Sequence, residues 1–264
     1  MITPRDNLLR TLRCRDPEWI PVCISLVPGQ NPAEGIPENL KPHFEGTWGS
    51  QADDALAVGQ RWGAEDYLLH VPDPVRFVSD CCPVRVEEIG NDKRITTIAT
   101  SKGELRQVWE RRGGGHALTT ERFVKTADDA AALLEYQQSL RLVPATGEAR
   151  AYIRGIARQA GDRGALFCRS AGPPLSQMYR VLSELPDLIF LIHDHPRLME
   201  DLFVCMEQRN LERFEHILEV APEIDACFGL DDTSTNLISP AMFERYNVDI
   251  INRRADLFHA HDRL

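Results

Sequence analysis

Residues 226–246 read ACFGLDDTSTNLISPAMFERY, and this stretch predicts a buried strand, a polar loop and a helix in direct succession. The apolar run stops abruptly at Asp231 and Asp232. Small polar residues follow, and Ser239 and Pro240 supply the cap and the first-turn proline of a helix. Short, continuous apolar runs are typical of strands buried in a parallel sheet. Ligands bind such sheets at the carboxyl ends of the strands, so the two carboxylates mark a candidate site.

Three other segments of the chain share this pattern, and helical patterns lie between them. The four predicted buried strands are 19–27, 64–71, 164–174 and 223–230. The predicted helices of the same region are 53–63, 126–140, 147–160, 175–183, 187–193 and 196–220. This alternation predicts parallel strands joined by crossover helices, as in a doubly wound sheet or a (β/α)8 barrel. The sequence supplies about four or five such strands, whereas a barrel needs eight.

Two segments depart from the alternation of buried strands and helices. Residues 84–110 alternate apolar and polar side chains between turn signals, which predicts an inserted antiparallel meander with one solvent-exposed face. Residues 256–264 predict the approach to another strand, with His259 and His261 on one strand face. Two histidines are too few for a closed metal site. GGGH at 113–116 lacks the lysine of a phosphate-binding loop and predicts only a flexible connector.

Composition excludes several classes of protein. The net charge of −10 argues against nucleic-acid and anionic-membrane partners, because both require a basic surface. The seven cysteines are odd in number and scattered, which fits free thiols in a reducing cytoplasm better than a disulfide framework. The amino terminus lacks the apolar core of a signal peptide, and no apolar run reaches the length of a spanning helix. The sequence therefore predicts a soluble cytoplasmic protein.

The acidic pair at the end of the fourth strand has two readings. Adjacent carboxylates repel each other, so one pKa should rise, and the pair would then suit acid–base catalysis or cation binding. Adjacent strand residues point to opposite faces, so one of Asp231 and Asp232 is expected to face the site. Alternatively, Asp232 caps the following turn through the backbone of the loop that starts at Thr233.

Other candidate residues follow the second and third strands. His70 and Asp73 lie at the end of the second strand. Arg169, near the end of the third, predicts bidentate binding of a carboxylate or phosphate, or else an ion pair with an aspartate. Cys168 and Cys227 lie within strands and are expected to be buried core thiols.

The strand ends, in this order, resemble the uroporphyrinogen decarboxylase superfamily. TPRDNLLRTLRCRDPEWIPV at 3–22 looks like the first helix and strand of that family. AGPPLSQMYRVL at 171–182 is similar to a segment in which a proline precedes a pocket tyrosine by six residues, here Tyr179. The segment 228–261 resembles the family's strand, polar loop and SP-x-x-F helix. The resemblance implies that residues 1–264 form a single, partial (β/α)8-barrel domain.

The resemblance also favours one branch of the superfamily. The decarboxylases carry an arginine-rich loop after the first strand, but this sequence reads SLVPGQNPAEG there. The acidic pair and the meander look more like the corrinoid methyltransferase branch. That branch takes zinc from a His-x-Cys motif beyond HAH, and the sequence stops at Leu264, before that motif. Zinc is therefore expected only if the missing motif is supplied, and no metal ligand is assigned among the residues present.

Three functions remain open at this point. The first is a methyltransferase-like barrel that acts on a methyl donor or on a corrinoid or tetrapyrrole-related ligand, with a corrinoid protein as a partner. Asp231, Asp232 and Tyr179 would be catalytic, and Arg169, His70, Asp73 and Thr233 would bind the substrate. The second is cofactor-free uroporphyrinogen III decarboxylation, a lyase reaction of porphyrin biosynthesis. The third is a truncated, non-catalytic domain, because a complete barrel needs roughly a hundred more residues; an open last strand could also close by homodimerisation.

Overall fold

A computed structural model describes residues 2–21, 67–71, 73–111, 117–229 and 234–264. The described strands are β1 (Tyr67–His70), β2 (Arg76–Ser79), β3 (Val84–Ile89), β4 (Lys93–Thr100), β5 (Gly103–Arg111), β6 (Ala117–Glu121), β7 (Leu140–Val143), β8 (Gly164–Ser170) and β9 (Ala226–Gly229). The described α-helices are α1 (Pro4–Leu12), α2 (Ala127–Ser139), α3 (Gly147–Ala160), α4 (Pro174–Gln177), α5 (Leu185–Asp194), α6 (Pro196–Val220), α7 (Pro240–Phe243) and α8 (Asp249–Ala260). The fold is therefore mixed α/β.

The parallel pairing predicted for the buried strands is confirmed for three of them. Strands β1, β8 and β9 form a parallel sheet in the order β1-β8-β9. His70 lies opposite Phe167, and Cys168 lies opposite Cys227. All three strands consequently end at the same edge of the sheet. The strand predicted at 19–27 falls largely outside the described residues, and the helix predicted at 53–63 falls wholly outside them.

Helices cover both faces of this sheet. On one face, Leu166 and Cys168 of β8 pack into a core with Phe214 and Ile217 of α6. On the other face, the amino-terminal part of β8 packs against Leu8 and Leu9 of α1 through Ala165. Helix α1 begins at Pro4, where the Thr3 side chain accepts a hydrogen bond from the Asp6 amide and the proline occupies the first turn. The candidate site lies on the carboxyl-terminal part of this second face.

The predicted meander is a four-stranded antiparallel sheet in the order β3-β4-β5-β6. One of its faces packs on helix α2, where Ile98 and Leu105 join the same core as Leu133. Helix α2 lies within the predicted range 126–140, and the side chains and backbones of Thr126 and Asp129 form a reciprocal capping box at its start. The GGGH connector at 113–116 lies outside the described residues.

The strand approach predicted at 256–264 is confirmed at its last residue, but the strand face predicted for the two histidines is wrong. The Leu264 amide donates to the Asp225 carbonyl at 3.0 Å, and the Cys227 amide donates to the Leu264 carbonyl at 2.6 Å, so Leu264 lies beside β9 as the next parallel strand would. Helix α8 continues to Ala260, so His259 belongs to the helix and His261 caps its end. The two histidines therefore do not share a strand face. The physical reason is the spacing of Arg254 and Phe258, which lie one helical turn apart and are both buried against the core.

Two further features of the fold were not predicted from the sequence. Strands β2 and β7 pair antiparallel as a separate two-stranded sheet. Helix α4 continues as a π-helical turn at Met178–Leu182, and α7 continues as another at Glu244–Val248. Within the described ranges, no helix has the length and apolar character needed to cross a membrane.

Candidate functional site

Three side chains share one face of the parallel sheet near the carboxyl ends of its strands. Arg169 lies opposite Phe228, and Phe167 precedes Arg169 by two residues, so all three point the same way. The rings of Phe167 and Phe228 meet edge to face, with their centroids 5.7 Å apart. Phe228 is 45% exposed, although it belongs to a strand. We call Phe167, Arg169 and Phe228 the aromatic face.

A second arginine lies close to the aromatic face. Partial burial and the positive charge of Arg180 together lower the pKa of Arg169. Arg180 is exposed and belongs to the π-helical turn that follows α4. Guanidinium groups bind carboxylates and phosphates, so two of them near the same strand end are suited to contact with an anionic group of a ligand. Sequence analysis selected Arg169 but missed Arg180, since only the folded chain brings them together.

The opposite face of the same strands holds a buried thiol pair. The hydrogen bond to Cys227 and the complete burial of Cys168 raise the pKa of the Cys168 thiol. The prediction that Cys168 is a core thiol is confirmed, and Cys227 packs against the same core. The two thiols therefore belong to the apolar core on this face of the sheet.

Asp73 follows β1 and lies beside the thiol pair on the helix side of the sheet. Its carboxylate forms an ion pair with Arg213 of α6 and accepts a hydrogen bond of 3.1 Å from the Val75 amide. Arg213 also donates to the Arg169 carbonyl at 2.8 Å. Burial lowers the pKa of Arg213, but the charge and hydrogen bond of Asp73 together with the charges of Cys168 and Cys227 outweigh this effect, and the net pKa is raised. The ion pair between Asp73 and Arg213 thus connects α6 to the ends of β1 and β8. The role of Asp73 as a substrate ligand stays a prediction.

A buried ion pair holds the loop that leaves β8. Arg254 of α8 contacts Glu207 of α6 through two nitrogens, one of them at 2.8 Å from Oε1. Arg254 also donates to the Ala171 carbonyl at 2.7 Å, and the Gln177 side chain donates to the Gly172 carbonyl at 2.8 Å. These contacts fix the backbone immediately after the aromatic face. The sequence signal for this ion pair is Glu207, which directly follows Met206 among the buried residues of α6.

Tyr179 lies in the first π-helical turn, and its side chain is buried. Its hydroxyl donates to the Ser176 hydroxyl at 3.3 Å, and the Asn247 amide donates to the same oxygen at 3.3 Å. Asn247 belongs to the second π-helical turn, so this polar cluster joins the two turns. π-Helical turns frequently occur at functional sites. The catalytic role assigned to Tyr179 remains a prediction.

The remaining candidates are only partly described. Asp231, Asp232 and Thr233 lie outside the described residues, which stop at Gly229, directly after the aromatic face, and resume at Ser234. His70 ends β1 opposite Phe167, and its backbone position alone is described. In the described part of the chain, no group of three or more His, Cys, Asp and Glu side chains is arranged to hold a metal ion. The described residues therefore do not form a zinc site.

The thiol pair gives a prediction with a defined pH dependence. The pKa of Cys168 is raised in the folded protein above its ordinary value of 9.0, so the unfolded chain loses this proton first as the pH rises. Stability from this group should be present below about pH 9 and should decline above it. Urea denaturation at neutral and alkaline pH should show a smaller decline for Cys168→Ala than for the unsubstituted protein. A decline of equal size in both would contradict the assignment, and Cys14→Ala, at an exposed thiol, is the control.

The chain is similar in structure to a solved protein of named activity. A methyltransferase from Methanosarcina mazei superposes with a TM-score of 0.51 and 14% sequence identity, over 97% of this chain and 67% of that chain. At this identity the likeness is one of fold alone. No family model matches the sequence, and no curated protein matches it.

Proposed function

We propose that this chain is a (β/α)8-barrel protein of the uroporphyrinogen decarboxylase superfamily, of the methyltransferase-like branch. It acts on a methyl donor or on a corrinoid or tetrapyrrole-related ligand at the carboxyl ends of its parallel strands. The likeness of fold to a methyltransferase supports this proposal, together with the parallel order of β1, β8 and β9. The observation that carries it is the aromatic face, which combines two phenylalanines with Arg169 just before Asp231.

The proposed roles follow from the chemistry of each side chain. Phe167 and Phe228 offer a flat apolar surface on which a planar ring system can pack. Arg169 and Arg180 bind an anionic substituent of that ligand, because guanidinium groups match carboxylates in geometry and charge. Asp231 and Asp232 supply acid–base catalysis or a ligand contact.

The other candidates would complete the site around the aromatic face. Tyr179 orients the substrate, and its hydroxyl is already held by Ser176. His70, Asp73 and Thr233 contribute further substrate contacts. Zinc would require ligands beyond those described, and no step of this proposal depends on it. A corrinoid protein in the cytoplasm is the proposed partner.

The decarboxylation of uroporphyrinogen III is the second candidate function. Its substrate carries many carboxylates, and the pair formed by Arg169 and Arg180 supplies positive charge at the strand ends. This charge partly replaces the arginines that the segment SLVPGQNPAEG lacks. In that reaction one aspartate would stabilise a protonated pyrrole, with Tyr179 beside it.

Ligand titration tests the proposal. Hydroxocobalamin and uroporphyrin III are added separately to the purified protein, and binding is followed by absorbance. Arg169→Gln should weaken binding at least tenfold, because a hydrogen bond to a charged group contributes about 1.5–3 kcal/mol. Arg150→Gln, at an exposed position of α3, is the matched control and should leave binding unchanged.

The outcomes separate the candidate functions. Corrinoid binding that depends on Arg169 supports the methyltransferase-like function. Uroporphyrin binding together with formation of coproporphyrinogen from uroporphyrinogen supports decarboxylation. If neither compound binds, or if Arg169→Gln and Arg150→Gln behave alike, the aromatic face is not the ligand site and the non-catalytic alternative gains support.

A further inference from the structure

Strand β3 lies at an edge of the meander sheet, with β4 as its neighbour among the described strands. All six of its residues, Val84–Ile89, are exposed. An edge strand presents a row of backbone N–H and C=O groups that can pair with another strand. The side chains and the backbone of β3 together indicate what that other strand is.

The pairing with β4 shows which backbone groups of β3 face outward. The Ala99 amide donates to the Pro83 carbonyl at 3.1 Å, so these two residues form a hydrogen-bonded pair. Val84 lies opposite Ile98 in the same register, and hydrogen-bonded pairs alternate along an antiparallel ladder. Arg85, Glu87 and Ile89 therefore bond to β4. The N–H and C=O groups of the alternate residues, Val84, Val86 and Glu88, point away from the sheet.

The side chains of β3 carry opposite charges that lack partners in the described part of the chain. Arg85 and Glu87 lie two residues apart on one face, opposite the neutral residues Thr97 and Ile95 of β4. Neither forms an ion pair with another described residue, whereas the neighbouring Glu88 is paired with Arg94 at 2.6 Å.

The other face of β3 is apolar at its outer edge. Val84 and Val86 share this face with the buried Ile98, yet they are 48% and 54% exposed. The apolar surface that the meander packs against helix α2 thus extends beyond the helix to the exposed edge of the sheet.

We propose that β3 pairs antiparallel with β3 of a second copy of this chain, across a two-fold axis at Val86. The outward backbone groups of Val86 then bond to those of Val86 in the second copy. In the same way, Val84 of each copy bonds to Glu88 of the other. Arg85 of each copy lies opposite Glu87 of the other in the closely spaced, non-hydrogen-bonded pairs. The two four-stranded meanders become one continuous sheet.

The charges select this register over its neighbours. If the second copy is shifted by two residues in one direction, the outward hydrogen bonds can still form, but Arg85 lies opposite Arg85 of the second copy. A shift by two residues in the other direction places Glu87 opposite Glu87. Like charges directly opposite each other destabilise a strand pair. Self-complementarity of this kind is what an isologous two-fold interface requires. This interface is independent of the proposed ligand site.

Sedimentation velocity over a wide range of protein concentrations tests the proposal. The net charge of −10 makes copies repel, so the measurement is made at about 0.15 M salt, where long-range repulsion is screened. The unsubstituted chain should form a dimer at high concentration. Arg85→Glu and Glu87→Arg should each weaken the dimer about tenfold or more, because each replaces two opposite-charge pairs by two like-charge pairs.

Charge exchange provides the decisive control. A mixture of the Arg85→Glu and Glu87→Arg proteins should form a heterodimer, because every facing pair is again of opposite charge. The chain with both substitutions should dimerise like the original. A monomer at all concentrations would overturn the proposal and leave Arg85 and Glu87 as charges that protect an edge strand. A dimer insensitive to both single substitutions would overturn it as well.

Discussion

Arg254→Met is expected to lower the free energy of unfolding by about 3–5 kcal/mol, as is usual when one partner of a buried ion pair is removed. Arg254 and Glu207 are both buried, and Arg254 donates to Glu207 Oε1 at 2.8 Å. The methionine would fill much of the same space, but the Glu207 carboxylate would lose its charged partner. The Ala171 carbonyl would also lose its 2.7 Å hydrogen bond. Urea denaturation measures the change.

Two further variants isolate the cause of this loss. Arg253→Met alters the exposed neighbour on the same helix and should change stability by less than about 0.5 kcal/mol. Glu207→Met combined with Arg254→Met removes both charges and should recover much of the lost stability, because apolar side chains can replace a buried pair. Equal effects of Arg253→Met and Arg254→Met would show that the buried pair contributes little.

Phe214→Ala is expected to destabilise the protein by about 3–5 kcal/mol, which is typical for truncation of a buried phenylalanine. The Phe214 side chain is fully buried on α6. Its ring meets Phe258 edge to face at 5.5 Å, and the guanidinium groups of Arg213 and Arg254 lie 5.2 Å and 5.5 Å from its centre. The substitution would leave a cavity and remove the aromatic contact of both cations.

The control for Phe214 is a phenylalanine that makes little contact with the core. Phe190 of α5 is 67% exposed, so Phe190→Ala should alter the free energy of unfolding only slightly. Thermal or urea denaturation of the two variants under the same conditions makes the comparison. A loss of stability as small for Phe214→Ala as for Phe190→Ala would contradict the packing described for α6.

The two substitutions are also expected to be coupled. Arg254 lies over the ring of Phe214, and residues in contact seldom have additive effects on stability. Phe214 packs against two arginines that bond to the backbone at the end of β8. Arg254 donates to the Ala171 carbonyl, and Arg213 donates to the Arg169 carbonyl. Their loss should therefore loosen the backbone that positions the aromatic face.

Much of the local structure could be predicted from the sequence. Helix α6 runs over Pro196–Val220, as its helical pattern predicted, and α2 begins directly after Thr126, where the predicted helix begins. The meander follows from alternating side chains between turns, and the buried runs became parallel strands. These signals are local, because periodicity and capping depend on residues within one or two turns of each other.

Contacts between distant segments could not be predicted in this way. The pairing of β2 with β7 joins two short strands without strong alternation. The proximity of Arg180 to Arg169 depends on how the π-helical turn at Met178–Leu182 lies relative to the end of β8. Residues 256–260 belong to α8 and not to an extended segment, because Phe258 packs in the core with Phe214 of α6 and Arg254 pairs with Glu207.

The sequence by itself determined that polar residues follow the buried strands and that alternate residues of β8 must point to opposite sides. Only the tertiary structure decided what each side meets. Asp73 turns toward Arg213 among the helices, whereas Arg169 shares the other side with two phenylalanines. The physical reason is that strand alternation is set by local backbone geometry, while the partner on each face is set by long-range packing.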